Sequence, residues 1–371
     1  MRPVDAVAYV RDTALRMLPH RARTGLLPIG RPGPDSPVLV TGNFTLTVRR
    51  LRDALRGRDA WLLVANSKGI NVWCASGGGH LTHHDIIAVI RTSRVEQQVD
   101  NRELILPQLC ATGVERRRIS DATGFETRWG PARLEDLPAF LDRGARVLKR
   151  ERFMRFPLWE RLEMGAMWGV TLLVIALLVV SPIAGWPTAT TAAAMLALMV
   201  GGLFALLPWL HVRTRFRYLT FAAFAVAAAL LGAGALYLLG VGSVGHALVL
   251  TLVCVIAMGV LAVDFAGATP WYASNINSYH NAPQIELLED RCTGATDCVQ
   301  VCPRDVLKMN GPRRKVELVK PDQCIQCGAC IVQCPEDALR FRYADGRVVE
   351  AATIRTTRMN MLGRRTVGVK R

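Results

Sequence analysis

The sequence predicts three architectures in one chain of 371 residues: an open α/β domain, an all-α bundle of four transmembrane helices and a small α+β domain built on cysteines. Three observations carry this. After Pro37, short β-branched runs alternate with stretches of helical period. Between Met164 and Val263 stand four apolar runs, each near the roughly 20 residues that a bilayer core requires. Seven of the ten cysteines crowd between Cys292 and Cys334.

The formal net charge of +16 would suit a nucleic-acid partner, but the basic residues gather beside the apolar spans. That is the pattern of cytoplasmic loops, so no nucleic acid is expected. The clustered cysteines have metal-ligand spacing rather than that of scattered disulfides, which places the tail in a reducing compartment. The N-terminus is arginine-rich and has no long apolar core of the kind that a signal peptide carries.

Residues 1–36 contain Arg2, Arg11, Arg16, Arg21, Arg23 and Arg31 and end near Gly30-Arg31-Pro32-Gly33-Pro34; they read as a basic arm and linker. Residues 37–145 read as the α/β domain. Its strands are expected at Val38–Val40, Ala60–Ala65, Leu104–Leu106 and 125–129, and its helices at 46–55, 85–91, 114–122 and 134–141. Such alternation argues for an open, Rossmann-like sheet covered on both faces, with ligands at the carboxyl ends of the strands.

One stretch near such an end is set apart: Asn71-Val72-Trp73-Cys74-Ala75-Ser76-Gly77-Gly78-Gly79 holds a lone thiol between an apolar, strand-like run and three glycines. Without Cβ atoms, Gly77, Gly78 and Gly79 let a bulky ligand approach the backbone. Thr82 and Asp85 form an N-terminal box for the next helix, whose start favours an anionic group. His80, His83 and His84 read as a solvated helix start, with metal binding as the alternative. Cys110 reads as a core residue, with a place in the ligand site as the alternative.

Residues 146–162 interleave Arg146, Lys149, Arg150, Arg152 and Arg155 with Leu148, Phe153 and Phe156, as a basic juxtamembrane helix at an anionic leaflet would. Residues 163–265 hold the spans, at about Met164–Val180, Thr190–Leu210, Leu219–Leu239 and Val244–Val263. Arg213, Arg215 and Arg217 lie between the second and third, whereas residues 181–189 and 240–243 carry no Lys or Arg. By the positive-inside rule both termini are cytoplasmic, in a multi-pass protein of the cell's inner (plasma) membrane. Cys254 reads as packing. His211 and His246 fall at opposite faces and cannot share a haem iron, so the bundle reads as an anchor.

A linker (266–289) leads to the cysteine domain (290–345) and a basic tail (346–371). Cys324-x2-Cys327-x2-Cys330-x3-Cys334-Pro335 is the bacterial ferredoxin run, whose fourth cysteine serves the other cluster. A tetrahedral zinc site would leave that spacing without a reason. The earlier run, Cys292-x5-Cys298-x3-Cys302-Pro303, repeats the pattern with Ala295 in place of its second cysteine. By exchange, Cys302, Cys324, Cys327 and Cys330 hold a [4Fe-4S] cluster. Cys292, Cys298 and Cys334 then hold a [3Fe-4S] cluster, or a [4Fe-4S] cluster with one iron on water or on an oxygen such as that of Asp297; an empty site is the alternative.

Asn71-Val72-Trp73-Cys74-Ala75, followed by Gly77, resembles the cap-helix signature of HgcA, the corrinoid protein family of microbial mercury methylation. Leu39-Val40-Thr41, Asp59-Ala60-Trp61, Lys68-Gly69-Ile70, Leu106-Pro107-Gln108-Leu109, Thr123-Gly124-Phe125 and Gly130-Pro131-x-Arg133-x-Glu135-Asp136-Leu137-Pro138 are similar too. The resemblance covers about residues 37–265, and the tail resembles HgcB, the ferredoxin partner.

The resemblance implies a cobalamin-type corrinoid in a domain related to the corrinoid iron-sulfur protein large subunit and the CO dehydrogenase/acetyl-CoA synthase delta subunit. Cys74 would be the lower cobalt ligand, with Asn71, Val72, Trp73, Ala75 and Gly77 to Gly79 around the cofactor. It further implies a membrane-anchored methyltransferase, supplied by a methyl-folate or a methyl-donor protein, reduced by its ferredoxin domain and a low-potential electron donor, with Hg(II) as acceptor. Two departures weigh against mercury: Gly78 replaces the family's usual Lys, and no cysteine follows Cys334. The competing reading is a membrane-bound iron-sulfur electron-transfer subunit without methyl transfer. Oligomeric state is not legible.

Overall fold

A computed structural model describes residues 7, 11–13, 16, 18–210, 217–264, 283–359 and 365–368. His211, Arg213, Arg215 and most of the linker expected at 266–289 fall outside them. The described residues form two compact units, one built on residues 156–264 and the other on residues 18–155 and 283–368.

In the larger unit a five-stranded sheet comprises β1 (Gly25–Ile29), β2 (Val38–Gly42), β3 (Ala60–Ala65), β4 (Glu103–Leu106) and β5 (Glu126–Trp129) in the order β1-β3-β2-β4-β5. β3, β2, β4 and β5 run parallel, and β1 closes the edge antiparallel to β3. The sheet is therefore mixed, and β1 arises within residues expected to form only an arm. Pro28 and the Gly30-Arg31-Pro32-Gly33-Pro34 run that follows hid it: proline breaks a central strand but is tolerated on an edge. Alternate side chains separate two cores. Val38, Val40, Leu63, Leu104 and Leu106 face one, while Leu39, Leu62, Val64 and Ile105 face the other. Helices α1 (Thr45–Ala54), α2 (Val72–Gly77), α3 (His83–Ser93), α4 (Arg116–Thr123) and α5 (Leu137–Asp142) connect or cover the strands. The order reverses between β2 and β4, which opens a ligand crevice at their carboxyl ends.

The basic stretch 146–162 is not a single helix. One 3-10 turn at Lys149–Arg152 is followed by extended chain to Pro157. Glu151, nearly fully buried, accepts from the Leu148 N–H at 3.0 Å and pairs with Arg143, which ties the turn to the α/β domain.

The cysteine domain belongs to the same unit. It contains β6 (Gln284–Leu287), α9 (Asp297–Val301), the hairpin β7 (Leu307–Asn310) and β8 (Lys315–Leu318), α10 (Ala329–Val332), β9 (Leu339–Arg342), β10 (Val348–Val349), α11 (Ala351–Thr356), and the pair β11 (Thr357–Met359) and β12 (Arg365–Gly368). β6 thus starts inside the expected linker. The expected tail also carries structure: β10 joins the β6–β9 sheet, and α11 is held by Arg355. Val301, Cys327 and Ala329 share an apolar core with the sheet and helices of the α/β domain.

The other unit contains α6 (Leu158–Leu206), α7 (Arg217–Leu238) and α8 (Val244–Asp264), three helices long and apolar enough to cross a membrane. α6 covers both of the first two apolar runs, and residues 181–189, expected as a loop, are helical except at Gly185 (φ 75°, ψ 167°). Its two arms lie against one another. The Arg161 guanidinium donates to the Ala205 carbonyl and stands 5.8 Å over the Trp209 ring, and Gly165 lies against Phe204. Leu178, Ile183, Leu230 and Leu238 point outward, leaving apolar faces.

Candidate functional site

Cys74 sits on α2, a six-residue helix, and not on a strand extension. The loop before it is organised by Asn43 at the end of β2. Its buried Oδ1 accepts from the Ser67 and Gly69 N–H groups, both at 2.9 Å, and Ser67 Oγ stands 3.1 Å from it. Asn71 then caps the helix, its Oδ1 accepting from the Cys74 N–H at 2.9 Å.

The glycines end that helix. Gly77 is its last residue, Gly78 its C-cap and Gly79 the left-handed residue at φ +73°. The bonds His80 N–H to Ala75 C=O (2.7 Å) and Gly79 N–H to Ser76 C=O (3.3 Å) make a Schellman motif. Gly78 has an ordinary φ of −82°, but a Cβ on it would stand 2.9 Å from the Cys74 carbonyl oxygen, and a Cβ on Gly77 would reach 2.3 Å from Met359 Cε. β11 therefore lies against the Cys74 helix. Val72 and Ala75 are buried, Trp73 packs on the core, and Cys74 is half-buried. A soft donor on a fixed helix over the crevice fits a thiolate ligand to a large cofactor.

The cysteine domain holds two cavities. Cys302, Cys324, Cys327 and Cys330 line one; Cys292, Cys298 and Cys334 line the other, with Ala295 and Asp297. The fourth cysteine of each run thus faces the opposite cavity. In each run that cysteine accepts an N–H from four residues on: Val306 to Cys302 Sγ at 3.4 Å, and Ala338 to Cys334 Sγ at 3.3 Å.

Among the described residues, no three His, Cys, Asp or Glu side chains converge on one point as a single zinc ion requires; the sulfurs ring a volume instead. None of the ten cysteines is in a disulfide. Burial pushes the Cys298 thiol up to about 12, with Cys334 and Cys292 adding to it, and burial pushes Cys324 up to about 12, with Cys327 and Cys302 adding. Such thiols ionise only against a bound cation, so the donor set fits iron-sulfur clusters.

Other sequence candidates separate. Cys110 is fully buried in the α/β core, and burial drives its thiol far above the ordinary range. His83 is not solvated: it is 3% exposed, with Nδ1 3.8 Å from Glu115 and its ring 4.2 Å from that of His84. Both histidines line a cleft with Ser76, Glu115, Arg355 and Arg358.

Three side chains that sequence reasoning passed over join the two domains. Gln108 Nε2 donates to Arg152 O (2.8 Å) and Gln300 O (3.1 Å). Gln333 Nε2 donates to Ala111 O (2.8 Å) and Val114 O (2.7 Å). Arg116 forms an ion pair with the buried Asp297 at 2.5 Å and donates to Thr127 O at 2.9 Å. Gln108 stood in the family-like run Leu106-Pro107-Gln108-Leu109, but no local pattern gave any of the three this bridging role.

Residues 15–141 match the family model for the CO dehydrogenase/acetyl-CoA synthase delta subunit, and residues 284–335 match that for a 4Fe-4S dicluster domain. The chain carries one domain of each family. It is 35% identical over 127 residues to the acetyl-CoA decarbonylase/synthase complex subunit gamma of Methanopyrus kandleri, over 34% of this chain and 27% of that protein. The same subunit of Archaeoglobus fulgidus is 36% identical over 115 residues, 30% of this chain and 24% of that one. The corrinoid/iron-sulfur protein large subunit of Moorella thermoacetica is 29% identical over 125 residues, 33% and 28% of the two chains. The chain spans about a quarter of the length of these relatives. The corrinoid-protein domain and the dicluster domain thus meet in one chain and one compact unit.

Proposed function

We propose that this protein is a membrane-anchored, HgcA-like corrinoid methyltransferase whose Cys74 would ligate the cobalt and whose fused, HgcB-like dicluster domain would keep it reduced. A corrinoid supplies the methyl-carrying metal centre. The chain's part is to hold a sulfur under it, to shield the site and to bring electrons. The single observation that carries the reading is the fixed juxtaposition in one chain of the Cys74 helix and the cysteine domain, through Met359 on Gly77 and Gln333 on Ala111 and Val114. Thiolate donation makes the lowest cobalt oxidation state harder to reach, so a low-potential donor held this close has a clear use.

In this reading Cys302, Cys324, Cys327 and Cys330 hold a [4Fe-4S] cluster. Cys292, Cys298 and Cys334 hold a [3Fe-4S] cluster or a [4Fe-4S] cluster with one iron not bound by sulfur. The arms of α6 with α7 and α8 make four spans of the inner (plasma) membrane, and the loop charges put both termini in the cytoplasm. The methyl donor is a methyl-folate or a methyl-donor protein. Hg(II) is one acceptor to assay, against Gly78.

The test is anaerobic expression with cobalamin, followed by metal analysis of the full-length protein. Stoichiometric cobalt together with iron is the expected result. Iron without cobalt would leave a membrane-bound iron-sulfur electron-transfer subunit in its place.

A further inference from the structure

We propose that Gln333 is the bridge through which the three-cysteine site, rather than the four-cysteine site, passes electrons to Cys74. This rests on the corrinoid reading above. Gln333 directly precedes Cys334, which faces the three-cysteine cavity. It is 6% exposed, and its amide is spent across the junction: Nε2 donates to Ala111 O and Val114 O at 2.8 and 2.7 Å, and Oε1 accepts from the Arg116 N–H at 3.4 Å.

The segment it grips is the one that touches α2. A Cβ on Gly113 would stand 2.2 Å from Ser76 O, so the two backbones are in direct contact there. Ser76 is two residues from Cys74 on the same helix. From Cys334 the route therefore runs through one residue, one hydrogen bond to Ala111, two further residues to Gly113 and one backbone contact. From the four-cysteine site the corresponding polar route leaves Cys302, runs back two residues to Gln300 O, crosses to Gln108 Nε2 and needs a second hydrogen bond, from the Ala111 N–H to Gln108 O at 3.1 Å, before it reaches the residue that Gln333 contacts directly. The shorter chain of bonds starts at the site whose cluster lacks one thiolate. One electron leaves that cluster and one reduces the cobalt centre from Co(II) to Co(I); no bond is made or broken and no proton moves. Gln333 is a positioning residue in this step.

The experiment uses the full-length, corrinoid- and iron-loaded protein with Gln333→Leu and, as its counterpart, Gln108→Leu. Titanium(III) citrate reduces the clusters, and stopped-flow absorbance follows the loss of cob(II)alamin. Electron paramagnetic resonance of the clusters and hydrogen exchange of the Met154 amide, which donates to Pro303 O at 3.0 Å across the same junction, are read in parallel. Gln333→Leu is expected to slow reduction about tenfold or more, as small misplacements in a transfer geometry do, with cluster signals and Met154 protection kept. Gln108→Leu is expected to leave the rate within about twofold. Equal slowing by both variants, an unchanged rate in Gln333→Leu, or slowing only with loss of Met154 protection overturns the bridge. Absence of cobalt from the wild-type protein would remove the corrinoid reading and this one together, whereas cobalt with an unaffected rate removes this one alone.

Discussion

The two cysteine-lined cavities are close to equal in size, and each has a backbone N–H on the sulfur of its exchanged cysteine. They differ in what surrounds that common frame. The four-cysteine cavity is complete, and Cys327 and Ala329 on its wall pack into the apolar core of the α/β domain. The three-cysteine cavity has Ala295 where a sulfur would stand, and its contacts to the α/β domain are polar: Asp297 to Arg116, and Gln333 beside Cys334. The difference teaches that loss of one ligand has not loosened the second site. It is held to the α/β domain by an ion pair and hydrogen bonds, where the first adds apolar packing of Cys327 and Ala329 to the Gln108–Gln300 hydrogen bond.

The largest effect should come from the complete site. Cys330→Ser removes a buried sulfur of the proposed [4Fe-4S] site that also belongs to the domain core, and the expected outcome is loss of that signal with a clear drop in melting temperature, because cluster binding would be folding energy here. Cys298→Ser should remove only the second signal; equal damage from the two variants would erase the contrast between the sites. Next, Ala295→Cys should complete the second site, raising the iron content and replacing its signal with that of a second [4Fe-4S] cluster. Unchanged iron content after reconstitution would show that the cavity does not take a cluster.

A smaller change is expected from Asp297→Asn. It strips the charge facing Arg116 and should cost about 1–3 kcal/mol in chemical denaturation, toward the lower figure because Arg116 is 27% exposed. A double cycle with Arg116→Gln should show that the two effects are not additive.

The smallest effect concerns the sheet behind both cavities, since Ile285 of β6 lines one cavity and Leu287 the other. Hydrogen bonds from Arg342 and Arg340 hold the Glu286 carboxyl below its ordinary range. Its stabilisation is therefore present above the ordinary carboxylate pKa of 4.5 and is lost as the pH falls through the lower folded value. Glu286→Gln should flatten this acid limb in a pH series of melting temperatures, modestly, because the site is solvent-screened.

Local pattern made the outline legible. The apolar alternation of Val38–Gly42 and Ala60–Ala65 marks two strands, and Cys-Pro spacing marks the two cysteine runs. What escaped was local structure without pattern and contact without proximity. β1 is an edge strand interrupted by Pro28, so no apolar run announces it. The three glycines after Cys74 look like a loop, yet the first two end a helix, because a Schellman close needs a left-handed residue only at Gly79. Asn43, Gln108, Arg116 and Gln333 bond across long stretches of chain, and nothing in their neighbourhoods distinguishes a buried clamp from a surface polar residue. His83 escaped for the same reason: it is buried beside Glu115, 32 residues further along the chain.

The central claim is that Cys74 ligates cobalt beside its own electron supply, and it is tested most directly at the metal. Electron paramagnetic resonance of the cob(II)alamin form should be recorded for wild-type protein and for Cys74→Ala at equal cobalt loading. The account predicts that the cobalt hyperfine pattern changes on substitution while both iron-sulfur signals stay as they were. An identical cobalt spectrum in the two proteins would contradict it.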